Sequence, residues 1–262
     1  MSEIKLSIII VSWNVRELLK KCLASIKNCQ GDLAVEIFVV DNNSNDGSAE
    51  MVRKDFPAVR LIANQKNLGF AKANNLALKQ VTGEYILLLN PDTEIFPDTL
   101  KTALEFMAQH PAVGILGAKM LFPDGSFQPS VRRWPTPWPI ILMLLKLPKI
   151  FPHLKAIDRY LAKDFDYNKL SEAEQVMGAF MLLPKKIIQE VGLLDERFFV
   201  WFEEVDYCRR VKKLDYRIYY HPGVVIIHHG GKSFNQAGVV KNQWHFFKSA
   251  LLYFLKNNRW RK

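Results

Sequence analysis

The chain has 262 residues, 49% hydrophobic and 24% charged, which excludes a disordered or fibrous protein and is enough to build a substantial core. With 36 Lys and Arg against 26 Asp and Glu, the net charge is +10 and the sequence pI about 9.4. That balance favours anionic partners, whether phosphorylated small molecules, nucleic acid or an anionic membrane surface, without choosing among them.

Cys22, Cys29 and Cys208 are odd in number and lack metal-ligand spacing. They read as reduced core thiols, in keeping with a cytoplasmic location. The apolar run near the amino terminus is too short for a signal sequence and has no small-residue cleavage site. No stretch reaches the roughly 18 to 20 apolar residues that span a bilayer. The nearest, "WPIILMLLKLPKIF" (138–151), is broken by Lys146, Pro148 and Lys149 and reads as a core helix or a surface that touches lipid.

Taken in order, "LSIIIV" (6–11) is a strand and "VRELLKKCLASIK" (15–27) a helix. "VEIFVV" (35–40) is a second strand, and "SAEMVRKDF" (48–56) a short helix stopped by Pro57. "VRLIA" (59–63), "GFAKANNLALKQ" (69–80) and "YILLL" (85–89) continue the alternation. Nearly continuous apolar strands separated by helices imply a mostly parallel sheet covered on both faces. Ligands bind such sheets at the carboxyl ends of the strands. There the chain places Ser12, Trp13 and Asn14, then Asp41, Asn42 and Asn43, then Asn90, Pro91 and Asp92. One such loop is ordinary turn chemistry; three on one sheet edge describe a site.

A further strand region, "PAVGILGAKM" (111–120), leads into the proline-rich "QPSVRRWPTPWP" (128–139). Pro135, Pro137 and Pro139 argue against regular structure, so residues 126–175 are expected to include a lid or connector. Order returns with "QVMGAFMLLPKKIIQEVGLLDERFF", and the chain closes on an amphipathic helix with a basic end, about 236–262. The expected organisation is one compact domain of two halves, at 1–118 and 119–235.

Neither a G-x-G-x-x-G turn nor a G-x-x-x-x-G-K-[ST] loop is present, which disfavours a standard dinucleotide fold and a P-loop nucleotidase. Instead "SIIIVSWN", "VVDNNSNDGS", "NLGFAKANNLAL", "GEYILLLNPDT" and "GAFMLLPKKIIQEVGLLDERFFVWFEEVDYCRRV" follow in this order. Together, over about residues 6–234, they resemble a family 2 glycosyltransferase of the rhamnosyltransferase-like branch. The resemblance implies an α/β fold of the GT-A type and inverting transfer from a nucleotide-diphosphate sugar. It further implies a divalent cofactor, Mg2+ or Mn2+, and a glycan or lipid-linked acceptor, with no nucleic acid partner. A sugar nucleotidyltransferase on a related fold is a rival, disfavoured because "SWNVRE" stands where a glycine-rich basic loop is expected. A non-catalytic carbohydrate-binding protein is the other rival.

Under this resemblance Trp13 offers a flat face to the base, and Asp41 can accept the ring N–H of uracil or thymine. Asp92 matches the metal-binding carboxylate of the D-x-D motif, with Asn90 in place of the first acid. His228 matches the histidine that joins the metal or diphosphate, and His229 remains an alternative. Asn14, Asn43, Asn67, Asn74, Gly178 and Arg132 are further donor-side candidates, and Asp195 and Trp201 acceptor-side candidates. Where the family usually has Glu-Asp, this chain reads Glu203-Glu204-Val205-Asp206. At about 100° per residue, Tyr207, Val211 and Leu214 share a face with Glu204 beside them, while Asp206 falls opposite, within reach of Arg209 or Arg210. Glu204 is therefore the expected base, Glu203 its competitor and Asp206 a structural partner. The basic carboxyl-terminal helix would suit peripheral contact with the inner face of a membrane.

Overall fold

A computed structural model describes residues 4–147, 153–230 and 238–258. Its core begins with β1 (Leu6–Ser12), buried at all 7 positions. Side chains alternate along a strand, so burial of every one means both faces are covered. Ile8 and Ile10 enter one apolar cluster, with α1 (Arg16–Cys29), α2 (Ser48–Asp55) and α4 (Thr99–Gln109). Ile9 and Val11 enter the other, with α3 (Phe70–Leu78), α7 (Lys185–Val191) and α8 (Glu203–Lys212). Cys22 and Cys208 sit one in each core, and burial pushes both thiols up to about 12, which makes them packing groups rather than nucleophiles.

The main sheet adds β2 (Val35–Asp41) and then β3 (Arg60–Ala63) on one side of β1, and β4 (Tyr85–Leu89) on the other, all parallel. Beyond β4 lies β11 (Phe180–Pro184), antiparallel to both β4 and β6 (Val113–Leu121). Then follow β12 (Arg217–His228), parallel to β6, and β5 (Thr93–Ile95), antiparallel to β12. The sheet is thus mostly parallel, as the strand pattern predicts. Ser12 lies opposite Asp41 and Ile10 opposite Leu89, so the exits of β1, β2 and β4 stand side by side. The turn at Asn90 transfers the chain from β4 to β5, on the far margin of the sheet.

Two expectations need correction. The division at 118/119 falls inside β6, so the sheet runs unbroken through it. The segment 126–175 is also more regular than its prolines suggest. It holds β7 (Phe127–Gln128), β8 (Val131–Arg132), α5 (Pro137–Leu144), α6 (Lys155–Tyr160) and β9 (Ser171–Glu172), and β10 (Gln175–Val176) pairs with β8. Pro137 and Pro139 start α5 rather than prevent it, because the first turn of a helix leaves its N–H groups unpaired anyway. Residues 148–152 and 231–237 lie outside the described residues.

The last helix, α9 (Val239–Asn258), packs on the molecule. Its Ala250 and Tyr253 join Ile140 of α5, Phe198, and Phe202 and Val205 beside α8 in a third apolar cluster. α9 therefore covers the face of α8 that carries Asp206. Asp206 is 1% exposed, with Lys256 Nζ of α9 2.7 Å from its Oδ1 and Arg210 Nε 3.0 Å from its Oδ2. Leu214, by contrast, lies past the end of α8 and is exposed. Lys256 also meets Asp195 at 2.8 Å, so it bridges two carboxylates. Lys256→Met should cost about 1.5–3 kcal/mol, since Asp206 and Asp195 each lose one charged partner and keep Arg210 and Arg197. A denaturant unfolding curve checks this; a loss under about 1 kcal/mol would make the bridge a surface decoration.

Candidate active site

A cavity of about 330 Å³ opens at the exits of β1, β2 and β4. Its lining includes Trp13, Asn42, Asn67, Asn90, Pro91 and Asp92 from the sheet edge. From farther along the chain it includes Phe199, Val200, Lys241, Asn242 and His245. Gly69 closes one wall. Its φ is +81°, and a Cβ there would stand 2.3 Å from the Phe199 carbonyl oxygen, so only glycine fits. Phe70 N–H donates to that same carbonyl at 2.7 Å, locking the start of α3 to the 199 loop.

Asp92 is 4% exposed and His228 likewise 4%. Strand pairing of His228 with Thr93 brings the two side chains together, His228 Nε2 standing 3.5 Å from Asp92 Oδ1 without making a hydrogen bond. The other ring nitrogen, Nδ1, lies 2.9 Å from Gln128 Oε1. An amide oxygen only accepts, so Nδ1 donates to it, and Nε2 is the ring nitrogen that faces the carboxylate. His229 is engaged elsewhere: its backbone N–H donates to Asp92 O at 2.9 Å and its Nε2 meets Glu94 Oε1 at 2.7 Å. Glu94 is thus held away from Asp92.

At the neighbouring exit, Asp41 is 3% exposed. Its Oδ2 accepts Ser44 N–H at 3.0 Å, while Oδ1 is buried without a hydrogen-bond partner. Ser12 Oγ, paired across the strands, is buried without one as well. Two such atoms at one strand edge are costly unless something supplies their bonds.

The glutamates stand at the start of α8. Trp201 and Phe202, just before it, have φ of 63° and 67°, a left-handed pair unusual for bulky side chains and typical of strained functional segments. Glu203 is 5% exposed and Glu204 half-buried, and each has an Oε2 without a partner. Burial first, and the Glu204 charge second, push Glu203 well above the usual carboxylate range. Burial also raises Glu204, against the lowering pull of backbone N–H groups at the helix start. Gly178 faces Glu204: a Cβ added there would meet Glu204 Cβ at 3.5 Å. The next residue, Ala179, accepts Asn90 N–H at 3.0 Å, which ties Glu204 to the Asn90–Asp92 turn. Burial pushes the Tyr160 hydroxyl up to about 12, with the Glu204 charge adding to the effect.

Burial raises both glutamates, so both respond to pH in the same direction. A carboxyl whose folded pKa is raised holds its proton after the unfolded chain has lost it, so its burial costs stability as pH rises above the unfolded value. Glu203→Gln should therefore stabilise the protein near pH 8, where the unfolded carboxyl is ionised and the buried one is held above its usual range. The gain should shrink below about pH 4, where both states are protonated. Thermal melts across that range check the sign.

Asp41, Gly178, Glu203, Glu204 and His228 stand behind the cavity lining rather than in it, and several other predicted residues are held elsewhere. Asp195 is bound by Arg197, at 2.6 Å, and by Lys256; the Arg197 guanidinium and Lys256 hold its carboxyl well below the usual range, which fits a structural role rather than acceptor binding. Arg132 donates to the carbonyls of Pro129 and Val131, and Arg133 pairs with Asp164. Trp201 packs edge-on against Phe246. Asn14 shapes the β1 exit, its Oδ1 accepting Asn45 N–H at 2.8 Å, and the left-handed Asn43 is exposed beside it. Asn74 spends its amide on Phe70 O, although its Oδ1 is buried without a partner. Asn67 does line the cavity, and its Oδ1 accepts Gly69 N–H. Residues missed in the sequence include Phe199 and those of α9, where His245 stacks on Phe199 at 4.4 Å with its Nε2 buried and unpartnered. An approach of α9 to the β1 edge leaves no periodic signal.

The chain is 26% identical over 245 residues to N-acetylglucosaminyl-diphospho-decaprenol L-rhamnosyltransferase of Mycobacterium tuberculosis, covering 87% of this chain and 77% of that one. It is 25% identical over 212 residues to the low-salt glycan biosynthesis hexosyltransferase Agl10 of Haloferax volcanii, covering 79% and 62%. Among solved structures, a mannosyltransferase of Pyrobaculum calidifontis in complex with GDP-Man and Mn2+ superposes with TM-score 0.65 at 21% identity, over 98% of this chain and 65% of that one. GalNAc-T7 with UDP, GalNAc and Mn2+ superposes with TM-score 0.62 at 13% identity, over 87% and 44%. The chain thus spans about two thirds or less of these solved proteins, whose likeness establishes the GT-A fold. The model of glycosyl transferase family 2 matches residues 7–166, and the chain belongs to that family of glycosyltransferases.

Proposed function

We propose that the protein transfers a sugar, with inversion, from a uridine or thymidine diphosphate donor to a glycan or lipid-linked acceptor. The observation that carries this reading is the Gln128–His228–Asp92 arrangement at the strand edge. A buried carboxylate faces the Nε2 of an imidazole that Gln128 orients through Nδ1. Such a donor pair suits a divalent ion, and the nitrogen favours Mn2+ over Mg2+. Among the described residues no group of three or more His, Cys, Asp or Glu could enclose a metal, so the protein would hold it through Asp92 and His228 and leave ligand positions for the substrate. When bound there, the ion offsets the charge on the departing diphosphate.

The chain's own residues supply the rest. Trp13 offers its ring as one wall for the base. Asp41 Oδ1, buried without a partner, suits the ring N–H of a pyrimidine. The solved relatives divide on this point, one carrying GDP-Man and another UDP, so the Asp41 carboxylate is the better guide for this chain. Glu204 removes the proton of the acceptor hydroxyl while that oxygen attacks the anomeric carbon from the side opposite the leaving diphosphate. Half-buried where Glu203 is 5% exposed, it is better matched to this task. The relative from M. tuberculosis is named for a diphospho-decaprenol substrate, which supports a lipid-linked acceptor and L-rhamnose as one candidate sugar.

Asp41→Asn tests the base assignment. It should weaken UDP or dTDP-sugar binding by about 10- to 100-fold, because a charge-assisted bond of roughly 1.5–3 kcal/mol is replaced by a donor facing a donor. Isothermal titration would measure it; unchanged affinity would remove Asp41 from the nucleotide site.

A further inference from the structure

Large apolar side chains are exposed mostly in one place. Trp138, Ile141 and Leu145, on or just after α5, and Trp244, Phe247, Leu251 and Leu255 on α9 are between 43% and 63% exposed. At 100° per residue, the α9 residues fall within about an 80° arc. The same helix buries Ala250 and Tyr253 on its other side, against Ile140 of α5, so the two apolar stripes belong to helices that pack together.

We propose that these paired faces form a docking surface for an anionic lipid bilayer. Two features favour lipid over a second copy of the chain. Neither helix contains an acidic residue, while Lys146, Lys241 and Lys248 are exposed on or beside them, so two such faces would repel one another. Both stripes also carry an exposed tryptophan, a side chain suited to the level of lipid headgroups, and Lys248 lies 4.8 Å from the Trp244 ring. Among the described residues no helix is long and apolar enough to cross a membrane, so the contact is one of lying on the surface. The inner side of α9 contributes Lys241 and His245 to the cavity. The docked helix would thus join the bilayer to the wall of the active site. This inference rests on the exposed face and not on the assignment of donor or base.

Co-sedimentation with vesicles tests it, using phosphatidylcholine alone and phosphatidylcholine mixed with phosphatidylglycerol. The full chain should partition onto the anionic vesicles and much less onto the neutral ones. Trp244→Glu with Leu251→Glu, and separately Ile141→Glu, should each reduce partitioning by about tenfold or more. Lys248→Glu should weaken it at low salt and have less effect at high salt. These side chains face solvent outside the cavity, so thermal midpoint and lipid-free release of nucleoside diphosphate should stay as in the parent. Equal partitioning of parent and apolar variants would overturn the proposal. So would a dimer in light scattering that those variants dissolve, since a second copy would then cover the face. Vesicle binding without any donor turnover would refute the proposed chemistry and leave the docking surface standing.

Discussion

Glu204→Gln is expected to lower the transfer rate constant by about 10²- to 10⁴-fold, the usual contribution of a positioned general base. Donor affinity should stay within about twofold, because Glu204 meets the acceptor side of the reaction and not the nucleotide. The amide keeps the size of the side chain and its fit over Gly178, so the loss reports proton removal rather than collapse of the site. The parent should show the same group in its pH profile. A base works ionised, and burial raises the carboxyl above its usual range, so the rate should fall as pH drops through that raised value. The acid limb should therefore lie higher than for an exposed glutamate and vanish in Glu204→Gln. Glu203→Gln should keep most of the transfer rate. If the pair behaves the other way round, the proton acceptor is Glu203, and the strained turn at Trp201 and Phe202 must aim that side chain instead.

The second large effect belongs to Asp92. Asp92→Asn should cost at least about 10²-fold in turnover, since it removes the charged ligand from a site that balances a departing diphosphate. A readout independent of turnover separates this from simple misfolding. Mn2+ titration followed by electron paramagnetic resonance should show weaker binding in Asp92→Asn and in His228→Ala. Gln128→Ala should weaken it less, by releasing the imidazole orientation that the Nδ1 proton fixes. His229→Ala should bind Mn2+ as the parent does, because His229 is committed to Glu94.

The sheet and the main binding edge were open to sequence reasoning because they depend on local pattern. "LSIIIV", "VEIFVV" and "YILLL" are short apolar runs with polar exits, and a parallel sheet brings those exits together. What periodicity does not carry is contact between distant elements. The 100° wheel places Asp206 opposite Glu204, and its partner Arg210 is legible at i+4. Lys256, fifty residues on, is not, because nothing local says that α9 lies across α8. The same blindness hid His245 and made Asp195 resemble a binding residue when Arg197 and Lys256 already hold it. The proline-rich stretch misled for a different reason. Proline breaks the interior of a helix but suits its first turn, and composition alone does not say which position Pro137 and Pro139 take.

"LLLNPDTEIF" joins these lessons. The apolar run ends where β4 reaches the cavity, Asp92 turns toward His228, and Glu94 turns toward His229. The two carboxylates, only two residues apart, are divided by the crossing from β4 to β5, which leaves one in the site and one beside it.

Asp41, Asp92 and His228 organise the proposed pyrimidine diphosphate-sugar site. Release of nucleoside diphosphate from UDP-, dTDP- and GDP-sugars, with and without Mn2+, is its sharpest test. Mn2+-dependent release is expected from one or both pyrimidine classes and little from GDP-sugars, with the activity lost in Asp92→Asn. Preference for GDP-sugars, or release that survives Asp92→Asn undiminished, would contradict it.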